Sequence, residues 1–429
     1  MKIAIIGGAG VRTPLLVNGL TCSDLPIQEI ALFDIDLARL AIIGSLARLF
    51  GPTVRLYDDV RECVADAAFV LLSIRVGGIS ARVRDEAIAV AHDAVGQETV
   101  GPGGFAMAMR SIPHAIEYAR IVRREAPGAW MVTFTNPVGI VTQAMTSAVS
   151  TRVIGICDTP TELFEDVAHA LGVDSARCRF DYFGLNHLGW LRDVYVEGEP
   201  QLHRFLQRPH LLSVVYRTPL FEVAFLQNLR MLPTEYLYYY YSADAALANI
   251  RQAGRTRGQA IQTLNDQLFR DLAVAGADRR RVYEEYLAAR SAGYMRIETG
   301  TSSPVERSPW SDLTGYDKIA LSVIHAIHFN TNAIIPLNVP NGSALSELGK
   351  ADVVEVPCVV NANGAHPLAI GALPASVCDL VLRVKKYERL TVAAAASGSA
   401  ADAERALAAN PLVRDSARAA QLVSALNSW

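Results

Sequence analysis

Short apolar, β-branched runs punctuate the first half of the chain, at Lys2–Ile6, Glu29–Phe33, Thr53–Tyr57, Phe69–Ile74, Trp130–Phe134 and Val153–Ile156. Their hydrophobicity is close to continuous, which predicts strands buried on both faces. Stretches of helical character lie between several of them, among them Leu37–Leu49 and Phe105–Glu125. This β-α alternation predicts a parallel sheet covered on both sides, with strand ends lining a ligand crevice. Motifs that directly follow a strand therefore carry most of the functional information.

From about residue 195 the pattern changes. Helical stretches dominate at Leu220–Gln227, Ala243–Ile250, Gly258–Ala275, Arg279–Ala292 and Tyr316–Asn330. A β stretch returns at Val353–Val360, and a helical tail runs from Ala375 to near the end. Gly and Pro at Val339–Gly342 and Gly364–Pro367 predict loops. The Ala-rich stretch Ala393–Ala409 reads as ordinary helix and turn, and no internal repeat interrupts the pattern.

The chain has 429 residues, 51% of them hydrophobic, enough for a large core built as two closely packed domains. A formal net charge of −3 offers nothing to nucleic acid or another polyanion. The opening MKIAIIGGAG lacks a basic leader and a small-residue cleavage site, so it reads as a strand entering a Gly turn. No run reaches the roughly 18 apolar residues of a membrane span. Six cysteines without paired spacing imply reduced thiols and a cytoplasmic protein.

Gly7, Gly8 and Gly10 follow the first strand in the spacing Gly8-x-Gly10-x-x-Thr13, a truncated dinucleotide fingerprint. Glycines there let backbone approach a pyrophosphate at a helix N-terminus. Asp34 and Asp36 follow the second strand, where a carboxylate accepts ribose hydroxyls and disfavours a 2′-phosphate; NAD is favoured over NADP. The bland alternative is a Gly-rich turn in a generic α/β domain. The expected fold is α/β. An N-terminal Rossmann-like, doubly wound parallel sheet, similar to that of lactate and malate dehydrogenases, spans 1–195, and a mainly helical α+β domain for substrate and oligomerisation spans 196–429.

Two further strand ends carry chemistry. Cys157-Asp158 closes the run VIGICDTP, and Asn186-His187 closes the first part of FDYFGLNHLGW. A thiolate and an imidazole at strand ends can share one metal ion, although a buried thiol and a satisfied core histidine are the commoner roles. Two protein ligands make an incomplete site, finished by substrate oxygens and water, which suits catalysis more than structure.

The segments IGGAGVRTPLLV, ALFDID, IRVGG, VGQETVGPGGFAMAMRSIP, TNPV, ICDTP, GLNHLGW, PTEYLYYYY, GRTRG and VEVPCVVNANGAHPL cover nearly the whole chain. Together they resemble glycoside hydrolase family 4, the NAD- and metal-dependent glycosidases, and most nearly its 6-phospho-β-glucosidase branch. That family is an exception to two-carboxylate glycoside hydrolysis. In such enzymes NAD oxidises C3 of the sugar, the C2 proton becomes acidic and is removed, the C1 group is eliminated, and water adds before C3 is reduced again.

The resemblance implies Cys157 and His187 as ligands of Mn²⁺ or another divalent metal, and Tyr236 as the base that takes the C2 proton. A free Tyr titrates near ~10, so this base needs cationic help or a proton acceptor. Glu98 is implied as the carboxylate that raises its basicity, and tyrosines 238–241 as aromatic packing. Arg82, Asn136, Asn186 and Arg257 are implied as substrate contacts, guanidinium forks being suited to phosphate oxygens. The cofactor would rest on Gly7, Gly8, Gly10, Val11, Arg12, Asp34 and Arg75, with Arg12 either on cofactor phosphate or solvated. The implied substrate is a phosphorylated disaccharide or aryl glycoside, and the implied assembly a homodimer or homotetramer.

Two departures matter. Asp158 stands where many β-linked members carry Asn, and resembles the acid that protonates the leaving oxygen in the α-linked branch. The first turn reads Val11-Arg12-Thr13 instead of the commoner Ser-Tyr-Thr. An α-linked 6-phosphoglycosidase, or a glycosidase for another C6 anion, is therefore the neighbouring alternative. A lactate/malate-type dehydrogenase shares the Asn-Pro-Val turn but leaves Cys157 unexplained. A non-catalytic NAD sensor would need neither Cys157 nor Tyr236.

Overall fold

The architecture comes from a computed structural model that describes residues 1–149, 152–216, 220–274, 276, 278–300, 315–413 and 415–426. Six strands, β1 (Lys2–Ile6), β2 (Glu29–Phe33), β3 (Val54–Tyr57), β4 (Ala67–Leu72), β5 (Trp130–Thr133) and β6 (Arg152–Gly155), run parallel in the order β3-β2-β1-β4-β5-β6. This is the doubly wound, dinucleotide-binding order, and its crevice opens where β1 and β4 diverge. In β1, Ile3 and Ile5 join one buried cluster and Ala4 and Ile6 another, so both faces of the sheet are covered. That two-sided burial is why the strand reads as an unbroken apolar run.

β7 (Cys178–Leu185) and β8 (Leu188–Val196) form an antiparallel hairpin, extended by β9 (Glu199–Pro200) and β10 (Leu232–Pro233) on β8. β11 (Ala333–Pro340), β12 (Val353–Asn361) and β13 (Gly364–Pro367) then extend the main sheet. β11 joins antiparallel to β6, with Asn338 opposite Gly155. The late segment thus shares a sheet with the first half.

The structure differs from expectation at several places. Val339 and Pro340 belong to β11 and Gly364–Pro367 is strand, although both segments carry loop residues. β13 is an edge strand, where Pro is tolerated because a missing donor goes unnoticed. The helix expected at Phe105 begins at Gly101 and runs to Glu125, with Pro102 in its first turn. The helix expected over Gly258–Ala275 spans Arg257–Ala273, and Ala275 lies outside the described residues. Among the described residues no helix is long and apolar enough to cross a membrane.

Gly103 and Gly104 explain the GPGG sequence mechanically. A Cβ at Gly103 would lie 2.2 Å from the Gln97 carbonyl oxygen, and one at Gly104 2.5 Å from the Thr99 backbone. The first turn of the helix Gly101–Glu125 therefore presses directly on the loop that carries Gln97, Glu98 and Thr99.

Candidate active site

The Gly turn after β1 is tied to the end of β2. Gly7 and Gly8 N–H groups donate to the Phe33 carbonyl at 2.9 and 2.8 Å. Gly7 has φ +92°, and a Cβ there would lie 2.0 Å from the Ser73 oxygen, so only glycine fits. Asp34 accepts from Ala9 N and Asp36 N, both at 3.0 Å, which fixes its carboxylate beside the turn. Asp36 itself caps the next helix through Arg39 N, so of the two acids Asp34 faces the turn. The Val11 carbonyl is anchored by the Tyr283 hydroxyl at 2.7 Å. The helix Thr13–Cys22 has no side-chain cap, but the Thr13 N–H donates to the Gly10 carbonyl at 3.0 Å, the Leu16 N–H to the Arg12 carbonyl at 3.2 Å, and Pro14 has no N–H. Ile35, 83% exposed, and Leu37 present apolar surface next to Asp34. Arg12 is neither simply solvated nor aimed at the turn alone: its Nη1 lies 3.9 Å from Asp158 Oδ2.

Cys157 and Asp158 follow β6, as their position after an apolar run implies. Cys157 is buried, and its Sγ lies 3.9 Å from Asp158 Oδ1. Burial, then Glu355 and Asp158, push the thiol well above its ordinary range, so a thiolate here calls for a cation beside it. Burial also raises the Asp158 carboxyl, with Arg12 working against it.

His187 occupies the two-residue turn between β7 and β8 in the left-handed region, φ +60°. A non-glycine residue held there marks a constraint imposed by its surroundings. The side chain is buried, and its Nδ1 lies 2.9 Å from Thr99 Oγ1. Burial pulls the imidazole down to about 3, against the pull of Glu98, so it is neutral at neutral pH. The Tyr236 ring stacks on it with centroids 3.7 Å apart and planes 11° from parallel. Burial, then Glu235 and Glu98, raise the Tyr236 phenol well above its usual range, while a hydrogen bond with Tyr294 lowers it. Tyr236 also senses the charge of Cys157, so phenol, imidazole and thiol share one neighbourhood.

Glu98 binds two arginines: Arg75 Nη1 at 2.6 Å and Arg82 Nη1 at 2.8 Å. Burial opposes its charge, but Arg75 and Arg82 outweigh burial and hold the carboxyl far below the usual carboxylate range. Arg75, expected on the cofactor, thus reaches from beyond the end of β4 to Glu98. Arg82 donates from Nε to Glu86 at 2.7 Å, and Glu86 accepts from Gly258 N at 2.6 Å. The chain Arg75–Glu98–Arg82–Glu86 therefore ends on the first turn of the helix Arg257–Ala273. Arg257 donates to the Arg290 carbonyl at 2.8 Å, and burial, then each other's charge, depresses Arg257. Beside them, buried Glu298 has one carboxylate oxygen without a hydrogen-bond partner.

Asn186 donates to Glu355 at 3.1 Å. Glu355 also accepts from Tyr182 at 2.7 Å and Asn338 at 2.8 Å. Asn136, after β5, has a buried Oδ1 without a hydrogen-bond partner.

Sequence reasoning missed Arg290, Glu298, Thr99 and Glu355. Only Glu355 carried a local signal, a lone acid inside the apolar run Val353–Val360. The residues fit the two expected groups. The Gly turn, its uncapped helix and Asp34 form a dinucleotide cradle. Cys157 and His187 supply a thiol and an imidazole, and among the described residues no set of three or more His, Cys, Asp or Glu gathers as a closed metal site. An ion there would complete its shell from outside the protein.

Comparison with known proteins identifies the family. The family 4 glycosyl hydrolase model matches residues 2–173, and the model for the family 4 glycosyl hydrolase C-terminal domain matches residues 182–413. A Bacillus subtilis protein described as "Probable 6-phospho-beta-glucosidase" is 31% identical over 442 residues, covering 99% of this chain and 95% of that protein. A phospho-α-glucosidase of Clostridium acetobutylicum is 29% identical, covering 99% of this chain and 96% of its own. Among solved structures, the 6-phospho-β-glucosidase of Thermotoga maritima with manganese, NAD⁺ and glucose-6-phosphate superposes with a TM-score of 0.83. It is 27% identical and covers 99% of this chain and 97% of that chain.

Proposed function

The chain belongs to family 4 of the glycosyl hydrolases, and we propose that it hydrolyses a 6-phospho-β-glucoside, or a similar glycoside with an anion at C6, using NAD and Mn²⁺ or another divalent ion. The relatives named for β- and α-linked phosphoglucosides and the NAD- and manganese-bound Thermotoga maritima structure support this reading. When bound, these cofactors supply the oxidation at C3 and the polarisation of the neighbouring oxygen that make the C2–H acidic.

The chain's own residues supply the rest. Gly7, Gly8, Gly10, Val11 and Asp34 hold the dinucleotide, with Ile35 as an apolar face for its base. Cys157 and His187 hold the ion. Tyr236, as its phenolate, takes the C2 proton at the phenol oxygen; Glu98 makes that phenolate a stronger base but, with burial and Glu235, opposes its formation, so a cation beside the phenol is needed. Arg75 pairs with Glu98 and holds it ionised, and Arg12 lies beside Asp158. Arg82, Arg257 and Arg290 surround the C6 anion, and Asn136 and Asn186 take sugar hydroxyls. The observation that carries the reading is the stack of Tyr236 on His187, which puts a base against a metal ligand.

A second reading, an α-linked substrate, is favoured by Asp158. Burial raises its carboxyl toward the protonated form, which suits an acid that gives its proton to the leaving oxygen. We also propose the division at 195/196 between dinucleotide and substrate parts, a homodimer or homotetramer, and a cytoplasmic location. All six cysteines are free, which supports the last. Aryl glycosides belong to the proposed substrates.

The test is incubation with Mn²⁺, NAD, a reductant and 4-nitrophenyl 6-phospho-β-glucoside in D₂O. Nitrophenol should be released and deuterium should appear at C2 of the sugar. Release without deuterium would rule out the elimination route, and release only from the α-anomer would select the second reading. Failure with every C6-anionic glycoside would reject the proposed activity. Cys157→Ser should abolish turnover and leave NAD binding intact.

A further inference from the structure

Thr99 Oγ1 lies between Gln97 Oε1, at 2.7 Å, and His187 Nδ1, at 2.9 Å. Gln97 Oε1 also receives the N–H groups of Thr99 and Val100, at 2.5 and 2.9 Å. Two backbone donors converging on one side-chain atom identify it as the amide oxygen, so the usual ambiguity between the two ends of a glutamine does not arise. An amide oxygen has no hydrogen to give. The single hydroxyl hydrogen of Thr99 is therefore spent on Gln97, and toward His187 the hydroxyl can only accept. The hydrogen of that contact must come from the imidazole.

We propose that Gln97 and Thr99 form a positioning relay that locks His187 in the Nδ1–H tautomer and so leaves Nε2 as a lone pair directed at the divalent ion. The relay rests on reading His187 as a metal ligand. Its geometry is over-determined. The loop is clamped under the helix Gly101–Glu125 by Gly103 and Gly104, whose missing side chains admit the Gln97 and Thr99 backbones. The imidazole plane is fixed by the Tyr236 ring on one face. A neutral imidazole carries one hydrogen, so pinning it on Nδ1 settles which nitrogen can ligate. A two-ligand site depends heavily on this, because among the described residues no third His, Cys, Asp or Glu joins the pair to hold the ion while the ring exchanges tautomers.

The relay makes the metal-free protein informative. With ¹⁵N-histidine labelling and His187→Gln to assign the signal, long-range ¹H–¹⁵N spectra should show His187 with its hydrogen on Nδ1. Thr99→Val, which keeps the shape and removes the hydroxyl, should populate the other tautomer. It should also weaken Mn²⁺ binding, read from the free-ion EPR signal, by about 10–100-fold. Thr99→Ser should restore both signals. An Nε2–H tautomer in the unaltered protein overturns the proposal even if Thr99→Val does not fold. Unchanged Mn²⁺ affinity in folded Thr99→Val also overturns it. If His187→Gln binds Mn²⁺ as tightly as the parent, the ligand assignment itself fails, a result distinct from failure of the relay.

Discussion

The rings of Tyr236 and His187 lie face to face, 3.7 Å between centroids, on a turn and a short 3-10 segment far apart in sequence. The phenol is thereby held beside an imidazole that is neutral and hydrogen-bonded on its Nδ1 side. The stack gives Tyr236 two separable parts, a ring packed on His187 and a hydroxyl to which we assign the proton chemistry.

Tyr236→Phe separates those roles. The ring and the stack survive, and the base is lost. Turnover should fall by about 10²–10⁴-fold, the usual worth of a positioned general base, and deuterium incorporation at C2 should fall with it. Affinity for Mn²⁺ and NAD should hold. A turnover loss below about tenfold would move the base elsewhere, Tyr294 being the nearest phenol by hydrogen bonding.

Asp34 is the residue to which we assign cofactor choice, through its charge. Its carboxylate is fixed by Ala9 N and Asp36 N, so it cannot swing away from a 2′-phosphate. Asp34→Ser should weaken NAD and relieve the repulsion of NADP, narrowing the ratio of their dissociation constants at least about tenfold, or 1.4 kcal/mol. Fluorescence titration with both cofactors checks this. An unchanged ratio would mean that discrimination lies outside this carboxylate.

Gly103 tests the clamp on the reactive loop. A methyl group there would meet the Gln97 carbonyl at 2.2 Å, a backbone atom that cannot rotate aside. Gly103→Ala should cost about 1–3 kcal/mol of stability through overpacking and should lower turnover more than stability alone explains. Gly128→Ala, where nothing lies within 4 Å, should change stability by less than about 0.5 kcal/mol. Denaturant titrations of both variants decide it. Equal stabilities would show that the loop yields to the helix.

The six parallel strands were legible because two-sided burial leaves an unbroken apolar run, as in Ile3–Ile6. Of the late strands of that sheet only β12 was, as the apolar run Val353–Val360. β11 and β13 carry Pro336, Pro340, Gly364 and Pro367, and those residues report turns locally while tertiary pairing to β6 and β12 overrides them. At the site, Cys157, His187 and Asp34 could be placed because each follows a strand. Arg290 and Glu298 lie on helical segments with many other charges, so nothing local separates them from solvated residues. Their partners, Arg257 and Asn249, are supplied only by the fold.

Glu355 offers a prediction from pH. It is buried among Tyr182, Asn186 and Asn338, all of which donate to it. Burial raises its carboxyl from 4.5 to about 7, although those hydrogen bonds lower it. A folded-state value above the unfolded one means that the unfolded chain releases the proton first. The stability tied to the protonated group is complete below about pH 4.5, falls as pH rises through the window up to about 7, and then levels off. The loss across that window is on the order of 3 kcal/mol at 1.36 kcal/mol per unit. Glu355→Gln has a similar shape and cannot ionise, so it lacks this decline. Stability of variant minus parent, measured by urea titration of the metal-free protein at pH 5, 6, 7 and 8, should therefore rise across the series. A constant difference would mean that Glu355 keeps one protonation state throughout. In that case its three donors, and not its burial, would decide its charge.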